Sequence, residues 1–158
     1  MQFSRRDLCT LIPAALVPGA LAIQALTAAA QGTATESAPA ALIASGSYPW
    51  DSLVPKANPN GTATTRAIFK GKLATGESVE VHETTLAVGG NPHPPHHHLH
   101  SEMWLVREGT IEIVVNGKSY QISAGGAGFA ASNEEHGVKN AGDTPATYFV
   151  VAIGATAL

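Results

Sequence analysis

From residue 64 onward, apolar and polar side chains follow one another in short runs with a period near two, and Gly, Pro, Asn or Asp separates most runs. In an extended chain, that period sends successive side chains to opposite faces, one toward a core and one toward water. It predicts strands over residues 64–69, 79–88, 103–108, 111–115, 119–122, 129–131, 136–140 and 146–153. Val, Ile and Thr, which fit a pleated surface, recur in them. Between two of these runs Asn116-Gly117 supplies a pair that accepts the positive φ of a tight hairpin turn. No stretch after residue 31 combines a helical period with capping residues. Many short strands at regular spacing make an all-β sandwich or barrel.

The front of the chain reads differently. Arg5-Arg6 precede a weakly apolar, alanine-rich run that ends in Ala28-Ala29-Ala30, resembling a twin-arginine export signal, residues 1–30, cleaved after Ala30. Pro13, Pro18, Gly19 and Gln24 interrupt the run, so it makes a poor membrane span. The single cysteine, Cys9, lies inside it, so the exported chain would form no disulfide. These features predict a periplasmic or secreted bacterial protein with no membrane attachment after cleavage. Residues 31–47, rich in Ala, Thr, Ser and Gly, read as a flexible leader. Residues 48–158 then form one domain, in which Tyr48-Pro49-Trp50 begin an arm that packs on the barrel or on a neighbouring subunit.

Charge narrows the partners. The chain carries a formal −3, one unit more negative once Arg5, Arg6 and Asp7 are gone, and its Lys and Arg form no stripe. A nucleic-acid partner is therefore excluded, and the expected partner is a small molecule.

The candidate chemistry lies between Gly90 and Gly109, where His93, His96, His97, His98 and His100 are followed by Glu102. On a strand, His96, His98, His100 and Glu102 would share one face and His97 would look away. Neutral imidazoles suit divalent zinc, copper, iron, nickel and manganese, and a carboxylate shifts the preference toward the harder ions. A further donor from elsewhere would have to be His82 or His136. Periodicity does not choose between His96 and His100 as the partner of His98. The competing reading is a His-rich loop that collects metals loosely.

Spacing adds to this. Gly90, five residues, His96, one residue, His98, three residues, Glu102, six residues and Gly109 resemble the first motif of the cupin superfamily. Gly125, His136 and Asn140 resemble the second motif, although Ala131 and Asn133 stand at its Pro and Gly positions. Asn tolerates the left-handed backbone that a glycine would supply there. The resemblance implies a double-stranded β-helix, or jelly-roll, barrel with one divalent metal ion on His96, His98, Glu102 and His136. It leaves His100 as a neighbour of the ligands or a cavity-lining group, and His93 and His97 on the rim.

Four protein ligands on an octahedral ion would leave two positions open. The resemblance thus implies a small metalloenzyme acting on a small polar molecule, of dioxygenase, decarboxylase, isomerase or ureido-compound hydrolase type. The alternative is a non-catalytic module that binds a small ligand or a metal. Candidate proton-transfer groups are His100, Glu134 and Glu135. Trp104 and Phe129 are expected in the core, no role is expected of Arg107 or Tyr148, and relatives of this kind are often homodimers. A cavity beyond the metal with polar walls would favour the enzyme.

Overall fold

The computed structural model describes residues 41–155, so the export segment and most of the leader lie outside the described residues. Nine strands follow in order: β1 (Pro55–Ala57), β2 (Ala63–Lys72), β3 (Ser78–Leu86), β4 (Ser101–Glu108), β5 (Thr110–Val115), β6 (Lys118–Ser123), β7 (Ala127–Ala130), β8 (His136–Asn140) and β9 (Ala146–Gly154). They form a six-stranded sheet, β1-β2-β3-β9-β4-β7, and a three-stranded sheet, β6-β5-β8. All named pairings are antiparallel. This is the all-β architecture that the alternating pattern predicts, in the jelly-roll form that the resemblance implies.

Packing follows the alternation. Leu86, Trp104, Val106, Ile111, Tyr148 and Val150 are buried between the sheets and make the core. The apolar run 146–153 is explained by position: β9 lies inside the large sheet, paired with β3 on one side and β4 on the other. Asn116 and Gly117 turn β5 into β6 with φ of 48° and 78°, as the hairpin pair requires.

Phe129 departs from expectation. It pairs with Met103 and shares that residue's outward face, so it is exposed rather than in the core. Met103, Leu105 and Ile153 are also exposed. The leader also contributes pairing earlier than expected, since residue 42 bridges to Lys72 at the end of β2.

The arm lies on the barrel's outer face. Trp50 sits in a single 3-10 turn, Trp50–Ser52. Its ring lies 4.1 Å from the Arg66 guanidinium carbon and 5.2 Å from that of Arg107. Arg107 is the extra residue of a bulge, because Val106 pairs with Tyr148 and Glu108 with Thr147. A bulge re-aims the side chain it carries. Here it brings Arg107 Nη1 to 2.8 Å from Glu83 Oε1, a carboxylate only 3% exposed. The ion pair reaches from β4 to β3 over β9, which separates them in the sheet.

Candidate metal centre

The histidine segment is not a strand. Pro92, Pro94 and Pro95 have no backbone N–H to donate to a ladder, and regular pairing resumes only at Ser101. Gly90 starts the excursion in a crowded place, where an added Cβ would meet the Thr62 carbonyl oxygen at 2.6 Å and that of Ala87 at 2.9 Å. The Gly90 carbonyl accepts the Asn140 N–H at 2.9 Å, which ties the first motif to the second.

His96 then meets His136 in an isolated antiparallel bridge. Each backbone N–H donates to the other's carbonyl, at 2.9 and 2.8 Å. Below it the 131–134 turn is stitched to the same loop, with Asn133 N–H donating to the His98 carbonyl at 2.8 Å and Ser132 Oγ to that of Leu99 at 2.6 Å. Asn133 has φ +66°, so it takes the left-handed role of the missing glycine. The result is a short loop and a strand end held together by backbone bonds before any side chain is considered.

Backbone carbonyls also fix which imidazole nitrogen is free. His98 Nδ1 lies 3.0 Å from the His100 carbonyl and His136 Nδ1 lies 2.8 Å from the Glu134 carbonyl. A carbonyl only accepts, so both Nδ1 atoms carry the proton and donate. Each Nε2 is thereby turned to the same oxygen, Glu102 Oε2, at 2.9 Å from His98 and 3.4 Å from His136. The His136 contact is an ion-pair distance without hydrogen-bond direction, and its Nε2 is buried without a hydrogen-bond partner among the described residues, as is His96 Nδ1.

Electrostatics follow from this convergence. The adjacent Glu102 carboxylate raises the His136 imidazole against the opposing effect of burial. Burial pushes the Glu102 carboxyl up, but His136 and His98 outweigh it and hold the group below its ordinary value. His96 is lowered, first by burial and then by the neighbouring histidines.

Donor atoms of His96, His98 and His136 all lie within 4.8 Å of one another, and so do those of His98, His100 and Glu102. The three-histidine group can hold a metal ion. Buried nitrogens without partners, tautomers fixed by carbonyls and an adjacent carboxylate are what a divalent transition ion requires. These residues fit such an ion.

Beside the cluster opens a cavity of about 300 Å³. One wall carries His93, His96, His98 and Glu102; the other carries Glu80, His82 and Thr84 of β3. His100 lines it too, its ring stacked on that of His98 at 3.5 Å. Burial, reinforced by His98, lowers the His100 imidazole. Trp104 is buried at the base as expected, with Tyr148 beside it.

Glu134 and Glu135 do not line this cavity. Glu134 is a brace for the turn, accepting from Asn116 Nδ2 and the Ala131 N–H, each at 3.0 Å. Glu135 is exposed, and its backbone N–H donates to Asn116 Oδ1 at 3.1 Å. His97 is exposed and outside the cavity, and His93 is exposed at its mouth with its ring 4.4 Å from that of His96. Glu80 and Thr84 were missed in the sequence, and His82, weighed as a donor, lines the far wall outside either cluster. Alternation along β3 was the available signal, since residues 80, 82 and 84 share a face. A larger groove of about 680 Å³ lies near β6 and β7 and is lined by no histidine among the described residues, so chemistry rather than size picks the site.

Two sheets enclosing a histidine cluster at one cavity define a jelly-roll barrel with a candidate metal centre. Residues 82–152 match the family model of the cupin domain, Cupin_2. No curated protein matched the chain. Among solved structures, KdgF from Halomonas sp. is similar at 15% identity and a TM-score of 0.57, over 68% of this chain and 94% of that one. An RmlC-like cupin from Shewanella frigidimarina is similar at 18% identity and a TM-score of 0.54, over 66% and 86%. An oxalate oxidase is similar at 23% identity and a TM-score of 0.50, over 61% and 55%. At these identities the likeness is one of fold.

Proposed function

We propose that this chain is a small cupin metalloenzyme in which His96, His98, Glu102 and His136 hold one divalent transition metal beside the cavity. One observation carries the reading: two imidazoles with Nδ1 committed to carbonyls direct Nε2 at a single carboxylate oxygen. A bound ion would polarise an oxygen of a small polar substrate or bind a small co-reactant. The protein's own residues would supply the rest. Glu80, His82 and His100 give the cavity polar walls beyond the ligands, which favours an enzyme over a closed binding module. His82, lowered by burial against the pull of Glu80, is a neutral imidazole at pH 7 able to accept a proton. Oxidation, decarboxylation, isomerisation and ureido hydrolysis are the reaction types we would test first, and the fold likeness to an oxalate oxidase adds small acids to the screen.

The test is a screen of metal-loaded protein against small carboxylates, hydroxy acids and ureido compounds, with oxygen uptake and product formation read together. Metal-dependent turnover that is lost in His136→Ala supports the reading. Metal-loaded protein that binds such molecules and turns none over would leave the non-catalytic module. We extend the proposal to twin-arginine-type export and to a homodimer, checked by the mature N-terminus in the periplasmic fraction and by sedimentation.

A further inference from the structure

Register across the large sheet sets up a second feature of the cavity. Glu80 pairs with Ala152, and Ala152 pairs with Glu102, so two carboxylates stand in one row on the inner face with a small residue between them. Adjacent strands are about 4.8 Å apart, which puts the two Glu backbones roughly 10 Å apart across a trough floored by Ala152. Ala152 is buried and lines the cavity, as both acids do. Among the described residues, no Lys or Arg lines it. Lys70 reaches Glu80 from β2, with Nζ 3.1 Å from Oε2, and leaves Oε1 on the side of His82 Nδ1, 3.7 Å away.

One end of the trough is thus the site where a cation would sit, and the other end is an acceptor. A ligand with an anionic head satisfies the first. At the second, a hydroxyl or ammonium donates to Glu80 Oε1, whereas a second carboxylate meets a like charge that Lys70, held on Oε2 from outside the cavity lining, only partly offsets. We propose that Glu80 determines specificity, so that the cavity takes a linear acid of about three to five carbons, anionic at the metal end and a hydrogen-bond donor at the Glu80 end. This rests on the metal-centre reading above.

The probes are 4-hydroxybutanoate, 4-aminobutanoate and succinate, titrated into the full chain loaded with cobalt(II) and read by calorimetry and by the visible spectrum of the ion. Metal content is measured on every sample. The expected result is that both donor-ended acids bind at least about tenfold more tightly than succinate, because like charges in a partly enclosed site repel. Glu80→Gln, whose amide can also donate, should bring the three within about threefold. Succinate binding as well as the others, an unchanged preference in Glu80→Gln, or no binding of any probe to cobalt-loaded protein would each overturn the inference alone. Succinate preferred by the wild type but not by Lys70→Ala would overturn it too, assigning the far end to Lys70. Failure to retain cobalt at all would instead remove the metal centre, and this inference with it.

Discussion

Arg107→Ala tests the packing that holds the two cavity walls in place. Glu83 is 3% exposed, and Arg107 Nη1 at 2.8 Å is its partner across β9. Breaking a buried ion pair by deleting one member costs about 3–5 kcal/mol, because the remaining charge is stranded. The Arg107 side chain is 40% exposed, so water can enter the space it leaves, and Arg66 stays close enough to act on Glu83. A loss of about 2–3 kcal/mol is therefore expected, just below that range. For a domain of this size it lowers Tm by roughly 8–15 °C.

The pH dependence has a definite sign. Burial raises the Glu83 carboxyl above its ordinary value, with Arg107 and then Arg66 opposing it. An acid raised by folding favours the folded state most below its unfolded pKa, and that advantage is lost as pH climbs through the folded value. Without Arg107 the group rises further. The deficit of Arg107→Ala should thus be full near pH 7.5 and shrink toward about pH 3, below the ordinary carboxyl value of roughly 4.3, where Glu83 is protonated in folded and unfolded chains alike. Thermal unfolding by circular dichroism, with chelator present, would measure it in the wild type, Arg107→Ala and the Glu83→Gln/Arg107→Ala double variant. The double variant should recover most of the loss. An equal deficit at both pH values, or a double variant no better than the single, would refute the stranded-charge argument.

Other predictions concern the centre itself. His96→Ala and His136→Ala should each lower metal affinity by at least about 100-fold, since changes merely to groups that orient ligands cost 10- to 100-fold. Both should leave the strand signal in circular dichroism intact, while His97→Ala, exposed and outside the cavity, should bind metal as the wild type does. Glu102→Gln keeps the shape and removes the charge that faces both Nε2 atoms, so metal titrations should show weakened affinity with a melting curve close to wild type. Gly90→Ala drives a Cβ into two carbonyl oxygens and should cost about 1–3 kcal/mol in denaturant unfolding.

The strands were legible because Val, Ile and Thr alternate with polar residues between Gly and Asn turns, and one local rule covers both. The histidine segment was harder. Read as a strand it puts His96, His98, His100 and Glu102 on one side, and all four do line the cavity, yet three prolines make the segment a loop. Its geometry comes from the bridge between His96 and His136, a contact over forty positions that no local pattern contains.

Phe129 faces out because its face is set by register with Met103, and a run of three residues is too short to show that. Arg107 could be given no role because a bulge leaves no mark in composition. Glu80 and Thr84 were visible in principle, on the same face of β3 as His82. They were passed over because nothing in the sequence tells which face of a lone strand meets the histidines.

X-ray absorption of the metal-loaded chain addresses the donor set most directly. One ion per chain should show a shell of light donors with the outer scattering of three imidazoles, reduced to two in His136→Ala. A spectrum with one imidazole or none, or one unchanged by His136→Ala, would contradict the convergence of His96, His98, Glu102 and His136 on a single cation.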